Sequence, residues 1–288
     1  MNYKIILHTL GLALIIESAC MLLPVICAIC YGDIEDLLIY SLCALLCLAV
    51  GAALTIIKLK NKTMYSREGF VIAALTWIVI SLFGAIPFWI SGYIPSYIDA
   101  LFETVSGFTT TGASILHDVG ALSNAHLLWR SFTHWIGGMG VLVFIMAVIP
   151  HDNGSTMYVL RAESPGPSVG KLVPKLKSSA KILYLIYVGL TLIQVIFMLF
   201  GKASLFEALT LTFGTAGTGG FALTNASIAD YSPYIQKVIT VFMILFGIDF
   251  SLYYLILTRK ISSFFKSEEV RVYILIILIS ALVISLNT

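Results

Sequence analysis

Seven stretches of this sequence are long and apolar enough to cross a bilayer, and that property alone removes most folds from consideration. They run from about Ile5 to Tyr31, Leu37 to Ile57, Phe70 to Ser91, Leu127 to Ile149, Ile182 to Phe200, Ile235 to Leu257 and Val272 to Leu286. Within hydrocarbon, backbone polar groups must be satisfied by the protein itself, so the expected fold is an all-α polytopic membrane protein. The composition agrees: 59% of the 288 residues are apolar, 11% are charged, and the mean hydropathy is +0.98, which excludes an ordinary soluble domain. The first apolar run is too long for a signal-peptide core and lacks a small-residue cleavage site, so it reads as a retained span.

The charges set the orientation. With the amino terminus in the cytoplasm, only Arg130, Lys202 and Lys237 of the 17 basic residues lie outside, as the positive-inside rule requires. Thr288 then falls on the outer side. All 5 cysteines, Cys20, Cys27, Cys30, Cys43 and Cys47, fall in the first two apolar stretches. Cys27 and Cys30 have the spacing of a metal or redox pair, but no second pair or neighbouring histidine completes a site, so packing is the expected role.

Two outer connections are not simple loops. Gly92 to His126 and Gly201 to Tyr234 are both long, and each carries a short helix-like lead running into threonine and glycine. Set against each other without a gap, Asp99 to Ala113 (DALFETVSGFTTTGA) and Glu207 to Phe221 (EALTLTFGTAGTGGF) pair Asp99 with Glu207, Thr104 with Thr212, Thr110 with Thr218 and Gly112 with Gly220. A register slipped by three would instead match Gly112 to Gly217. Non-helical backbone at membrane depth is tolerated where it is buried in protein or lines a watery cavity, so both stretches read as re-entrant pore loops. A dehydrated monovalent cation needs oxygen ligands, which converging backbone carbonyls supply. Glycine permits the backbone angles this demands, threonine adds hydroxyls, and the C-terminal end of each lead offers partial negative charge. The chain therefore divides into a leading helix pair (residues 1–66), a span, pore loop and span (67–160), a cytoplasmic linker (161–169), a second such unit (170–262) and one further helix (263–288).

Other polar residues are read as follows. Glu103 and Glu207 brace the loops by hydrogen bonds rather than touching the ion. Arg130 and Lys237 snorkel to the outer interface. Asp249, in the middle of a span, is either a cation-attracting group facing the pore or a buried hydrogen-bonded residue. Glu17, remote from either repeat, packs against a polar neighbour or water. Gly137, Gly138 and Gly140 in HWIGGMG let a helix approach another backbone closely. His126 and His134, eight residues apart, are expected to have no carboxylate partner and read as buried or interfacial. The segment Tyr158 to Lys177, with its prolines and basic residues, is a topology-setting linker or a docking surface for a cytoplasmic partner. No paired carboxylates, Ser/His pair or metal-ligand cluster points to an intramembrane enzyme, and nothing points to nucleic acid.

Several strings carry a family likeness: SREGF (Ser66 to Phe70), GAIPF (Gly84 to Phe88), SGFTTTGAS (Ser106 to Ser114), HWIGGMG (His134 to Gly140), VLRAESPGP (Val159 to Pro167), and GGF followed by NASI (Asn225 to Ile228). Together they resemble the Trk-type (TrkH) potassium uptake proteins of the Trk/Ktr/HKT superfamily. The resemblance implies a bacterial inner-membrane protein passing K⁺ inward, a homodimer, and a cytoplasmic TrkA-like ring of nucleotide-binding regulatory subunits. It implies no cofactor beyond the transported K⁺. Carried over by residue, it places one filter strand at Thr109, Thr110, Thr111, Gly112 and Ala113, and a second at Gly217, Thr218, Gly219, Gly220 and Phe221. The ion would be held at Thr110, Thr111, Gly112, Thr218, Gly219 and Gly220. In this superfamily a serine at the first filter glycine accompanies Na⁺ permeation; Gly112 favours K⁺. The family arranges four such repeats around one pore, whereas this sequence holds two, so a truncated or split product is expected, with residues 263–288 starting a third repeat. The alternative is an inactive or regulatory half-length subunit that needs a partner chain. Symport with H⁺ or Na⁺ is not legible in the residues.

Overall fold

The computed structural model describes residues 1–56, 66–140, 176–257 and 266–287, and these contain helices and no β-strands. The linker 161–169, the family string at Val159 to Pro167 and the end of the fourth apolar stretch lie outside the described residues.

Two helices open the chain as a hairpin. Helix α1 (Tyr3–Tyr31) stops at Gly32, whose left-handed backbone lets its N–H reach back to the last helical carbonyls. Asp33 then starts α2 (Ile34–Thr55) by accepting the Asp36 N–H at 3.1 Å. The pair is stitched by Ser18, whose hydroxyl donates to the Ala44 carbonyl at 2.7 Å. All five cysteines are free thiols, with Cys27, Cys43 and Cys47 buried.

Each later unit contains a long helix, a short one, an irregular strand and another helix. The first consists of α3 (Ser66–Gly84) with α4 (Ile86–Ile90), then α5 (Tyr97–Phe108), then α6 (Asn124–Met139). The second consists of α7 (Leu176–Phe200), α8 (Leu205–Ala216), and α9 (Pro233–Phe246) with α10 (Phe250–Leu257). Helix α11 (Glu268–Asn287) follows, with Val270 its one buried residue.

Among the described residues five segments are long and apolar enough to cross a membrane: Tyr3–Tyr31, Ile34–Thr55, Arg67–Ile90, Lys181–Phe200 and Glu268–Asn287. The stretch Ile235 to Leu257, read from sequence as one continuous span, is broken: α9 and α10 meet at 91°. Asp249 lies at that break rather than in mid-helix. Its carboxylate accepts the Ser251 N–H at 2.9 Å and the Ser251 hydroxyl, which starts α10 as a cap does. Asp249 is hydrogen-bonded, as one of its two readings has it, but half-buried rather than buried.

The core gathers around α6. Every residue from Ala125 to His134 is buried, and this helix packs on α1, α5 and α8. Trp129 at its centre is fully buried and donates from Nε1 to the Gly84 carbonyl at 3.0 Å. A helix enclosed on all sides by protein cannot be a lipid-facing wall; it is the post between the two short helices α5 and α8.

Candidate functional site

The two short helices begin alike. Ser96 caps α5 by accepting the Asp99 N–H at 3.4 Å, and Ser204 caps α8 by accepting the Glu207 N–H at 3.2 Å. Glu207 also returns a hydrogen bond from the Ser204 N–H at 2.8 Å, completing a capping box. Glu207 thus starts its helix, and its side chain also hydrogen-bonds Tyr231, so it holds the far end of the same connection. Asp99 and Glu207 occupy the same helical position, as the ungapped pairing requires.

They also end alike. After α5, Thr110 has φ 54° and Gly112 has φ 77°; after α8, Thr218 has φ 57° and Gly220 has φ 78°. Gly217 has φ −78°, so the slipped register is excluded and Gly220 is the counterpart of Gly112. A β-branched residue in the left-handed region costs about 1–2 kcal/mol, and it occurs here twice at matched positions. The turn bonds match too: Thr110 N–H to Gly107 O at 3.0 Å, and Thr218 N–H to Thr215 O at 2.8 Å.

Beyond the turns lies a set of free acceptors. Among the described residues, no hydrogen bond ends on the carbonyls of Thr109 to Gly112 or of Thr218 to Phe221. The two strands also touch: a Cβ on Gly112 would sit 2.1 Å from the Gly219 carbonyl oxygen, and one on Gly219 would sit 2.9 Å from the Thr110 oxygen. Unsatisfied carbonyls on converging strands are the arrangement that can replace an ion's hydration shell. All ten sequence-singled residues, Thr109 to Ala113 and Gly217 to Phe221, fall on these two strands.

Arg130 joins the two loops. It does not snorkel: it is 3% exposed, its Nε lies 2.6 Å from Glu103 Oε1, and its Nη1 donates to the Ala222 carbonyl at 3.2 Å. Burial beside an acidic partner removes the reason to reach for water. Lys237, by contrast, is exposed. Glu103 lies in the middle of α5. It accepts from the Ser114 hydroxyl at 3.0 Å and from the Ile115 N–H at 2.8 Å, so it braces the outgoing strand as expected.

The Phe221 ring sits against two side chains of α6. The Arg130 guanidinium carbon is 3.5 Å from its centroid, and the His134 imidazole stacks on it at 3.9 Å with 21° between planes. Further along α6, a Cβ on Gly137 would fall 2.1 Å from the Phe108 oxygen, and one on Gly138 would fall 2.9 Å from the Ala216 oxygen. The glycines of HWIGGMG therefore let one helix backbone touch the last residue of both α5 and α8.

Outside the strands, Asn225 ties the two loops together. Its Oδ1 accepts the Val119 N–H at 2.9 Å, and its Nδ2 donates to the His117 carbonyl at 3.1 Å. The strands open into a cleft of about 430 Å³ lined by Gly112, Ser114, Gly220, Asn225 and Ser227, among others. Near the start of α8, burial, aided by the Glu207 and Asp230 carboxylates, pushes the Tyr231 phenol up to about 12, so it stays neutral at physiological pH. No group of three or more His, Cys, Asp or Glu residues suited to a metal occurs among the described residues.

Two expectations about partners fail. His126 does have a carboxylate: Asp36 of α2 lies 3.2 Å from its Nδ1, and the Ser123 hydroxyl lies 2.8 Å from the same nitrogen. Glu17 is not remote from the repeats; Gly84 and Phe108 adjoin its carboxyl. Neither contact has a signature in sequence spacing, because each joins elements brought together by the packing of α1 and α2 on the first unit.

A family model described as TrkH, cation transport protein, matches residues 41–288. The Trk system potassium uptake protein TrkH of Escherichia coli strain K12 is 35% identical over 279 residues, covering 95% of this chain and 58% of that protein. TrkG of the same strain is 32% identical over 285 residues, covering 96% and 58%. The crystal structure of the potassium transporter TrkH from Vibrio parahaemolyticus superposes with a TM-score of 0.75 at 30% identity, covering 88% of this chain and 52% of that one. The chain thus spans a little over half the length of the relatives it matches.

Proposed function

This chain belongs to the TrkH family of cation transport proteins, and from that premise we propose that Thr109–Ala113 and Gly217–Phe221 are two strands of a K⁺ filter in a multi-pass bacterial inner-membrane protein. The observation that carries this reading is the pair of matched left-handed turns followed by carbonyls that accept no hydrogen bond. Ion selection by carbonyls needs oxygens that are held in place yet unspent, and the turn bonds at Thr110 and Thr218 do the holding. The C-terminal ends of α5 and α8 lead directly into the strands, so each helix offers roughly half a negative elementary charge to the ion.

In this reading K⁺ passes inward with the amino terminus cytoplasmic. No covalent chemistry is needed, because the membrane potential supplies about 2.3 kcal/mol per elementary charge per 100 mV. Two strands furnish part of a coordination shell; the remaining oxygens come from polypeptide beyond these residues or from a partner chain. A homodimer and a nucleotide-binding regulatory ring belong to the same proposal. A second reading, a subunit active only beside a partner chain, is favoured by α11, in which Val270 is the one buried residue and Tyr273 donates to the Ile244 carbonyl at 3.3 Å.

Growth at low K⁺ of cells lacking their own K⁺ uptake tests these readings. Rescue by this chain alone supports a self-sufficient filter, rescue only with a longer relative supports the subunit reading, and no rescue in either setting contradicts both.

A further inference from the structure

Glu17 lies midway along α1, about 21 Å from either end at 1.5 Å per residue. It is 4% exposed, and neither carboxyl oxygen has a hydrogen-bond partner among the described residues. The neighbouring donors are engaged elsewhere: the Ser18 hydroxyl bonds Ala44 O, and the Thr104 hydroxyl bonds Ala100 O at 2.8 Å. The carboxyl borders a cavity of about 10 Å³, at the lower limit for a single water.

The space it occupies exists because residue 84 has no side chain. A Cβ there would fall 3.0 Å from each of Glu17 Oε1, Thr104 Cγ2 and Phe108 Cε2, so α1, α3 and α5 meet at one point. Phe108 is the last residue of α5 and directly precedes Thr109. The titratable groups turned to Glu17 are Cys20 of its own helix and Cys43 and Cys47 of α2. The surrounding faces of α3, α5 and α6 contribute Ile80, Gly84, Thr104, Phe108 and Ile136, none of which titrates.

An ionised carboxylate without counter-charge or donors is strongly disfavoured in such a place. We propose that Glu17 is an intramembrane proton-binding site, occupied while α5 is packed as seen, and that losing the proton loosens the packing at Phe108 behind the first strand. Coupling of this kind is reciprocal, so a shift of Phe108 that admits water also favours release of the proton. The link to ion flow rests on the filter reading; the proton site itself does not.

The test is infrared spectroscopy of the full chain in lipid bilayers at neutral pH. The carbonyl band of a protonated carboxyl, downshifted in D₂O, is expected in the native protein and absent from Glu17→Gln. Equal spectra overturn the proton site. Gly84→Ala keeps the acid and crowds it, so the same band should move; an unmoved band removes Gly84 from the site. In the complementing cells, K⁺ flux of the native chain should fall at alkaline pH as the band bleaches, and Glu17→Gln should flatten that fall. Identical pH profiles overturn the coupling while leaving the infrared result, and hence the proton site, standing on its own.

Discussion

The two loops share one backbone and are held by different chemistry. The first is braced by polar side chains: Ser106 donates to the Ala113 carbonyl at 2.5 Å, Thr109 and Thr111 hydroxyls meet at 2.8 Å, and Glu103 accepts from Ser114 and Ile115. At its strand the second is braced mainly by contact, with Arg130 donating to the Ala222 carbonyl just beyond it. Gly214 stands where Ser106 does and lets the Phe221 carbonyl approach α8 directly, while the Phe221 ring packs on Arg130 and His134. Bulk is exchanged as well: Phe108 and Ala113 in the first loop correspond to Ala216 and Phe221 in the second. What persists through these exchanges is the pair of left-handed residues: the backbone path is kept while the side chains that support it differ.

That contrast can be broken at its joint. Arg130→Leu removes the cation that serves both loops and leaves Glu103 buried and unpaired, which should cost about 3–5 kcal/mol and lower the thermal midpoint in detergent. The double replacement with Glu103→Gln should recover part of that loss. The supports can then be compared singly. Gly214→Ala places a methyl 2.3 Å from the Phe221 oxygen, an overpacking worth about 1–3 kcal/mol, whereas Ser106→Ala loses one hydrogen bond, worth about 1 kcal/mol. Equal costs in denaturant titrations would mean the loops are supported alike. Asn225→Ala should have the smallest effect, about 1 kcal/mol or less, because its bonds are part-exposed; hydrogen exchange at the Val119 amide should nonetheless rise.

Much of this was readable from the residues. Hydropathy marks the spans because lipid tolerates little else, and the acid, threonine and glycine pairing places both loops at matching offsets. Periodicity cannot show the break at Asp249, since Ile235 to Leu257 is largely apolar apart from that residue, Ser251 and a few polar ones near its start. Nor could the pairing alone choose between Gly217 and Gly220; only the sign of φ does. Arg130 was misread because a basic residue near a span end usually snorkels, and its partner Glu103 lies on another helix with no fixed spacing to announce it. Glu17 looked remote for the same reason.

The two left-handed glycines are equivalent in conformation but not in surroundings. A side chain at Gly112 would strike the Gly219 carbonyl, whereas at Gly220 the nearest atom is Met243 Cε at 3.6 Å. The direct test is the K⁺ to Na⁺ permeability ratio of Gly112→Ser and Gly220→Ser in an active assembly. Both should lower the ratio, Gly112→Ser by the larger factor. Unchanged ratios in both variants would remove these strands from the ion's path.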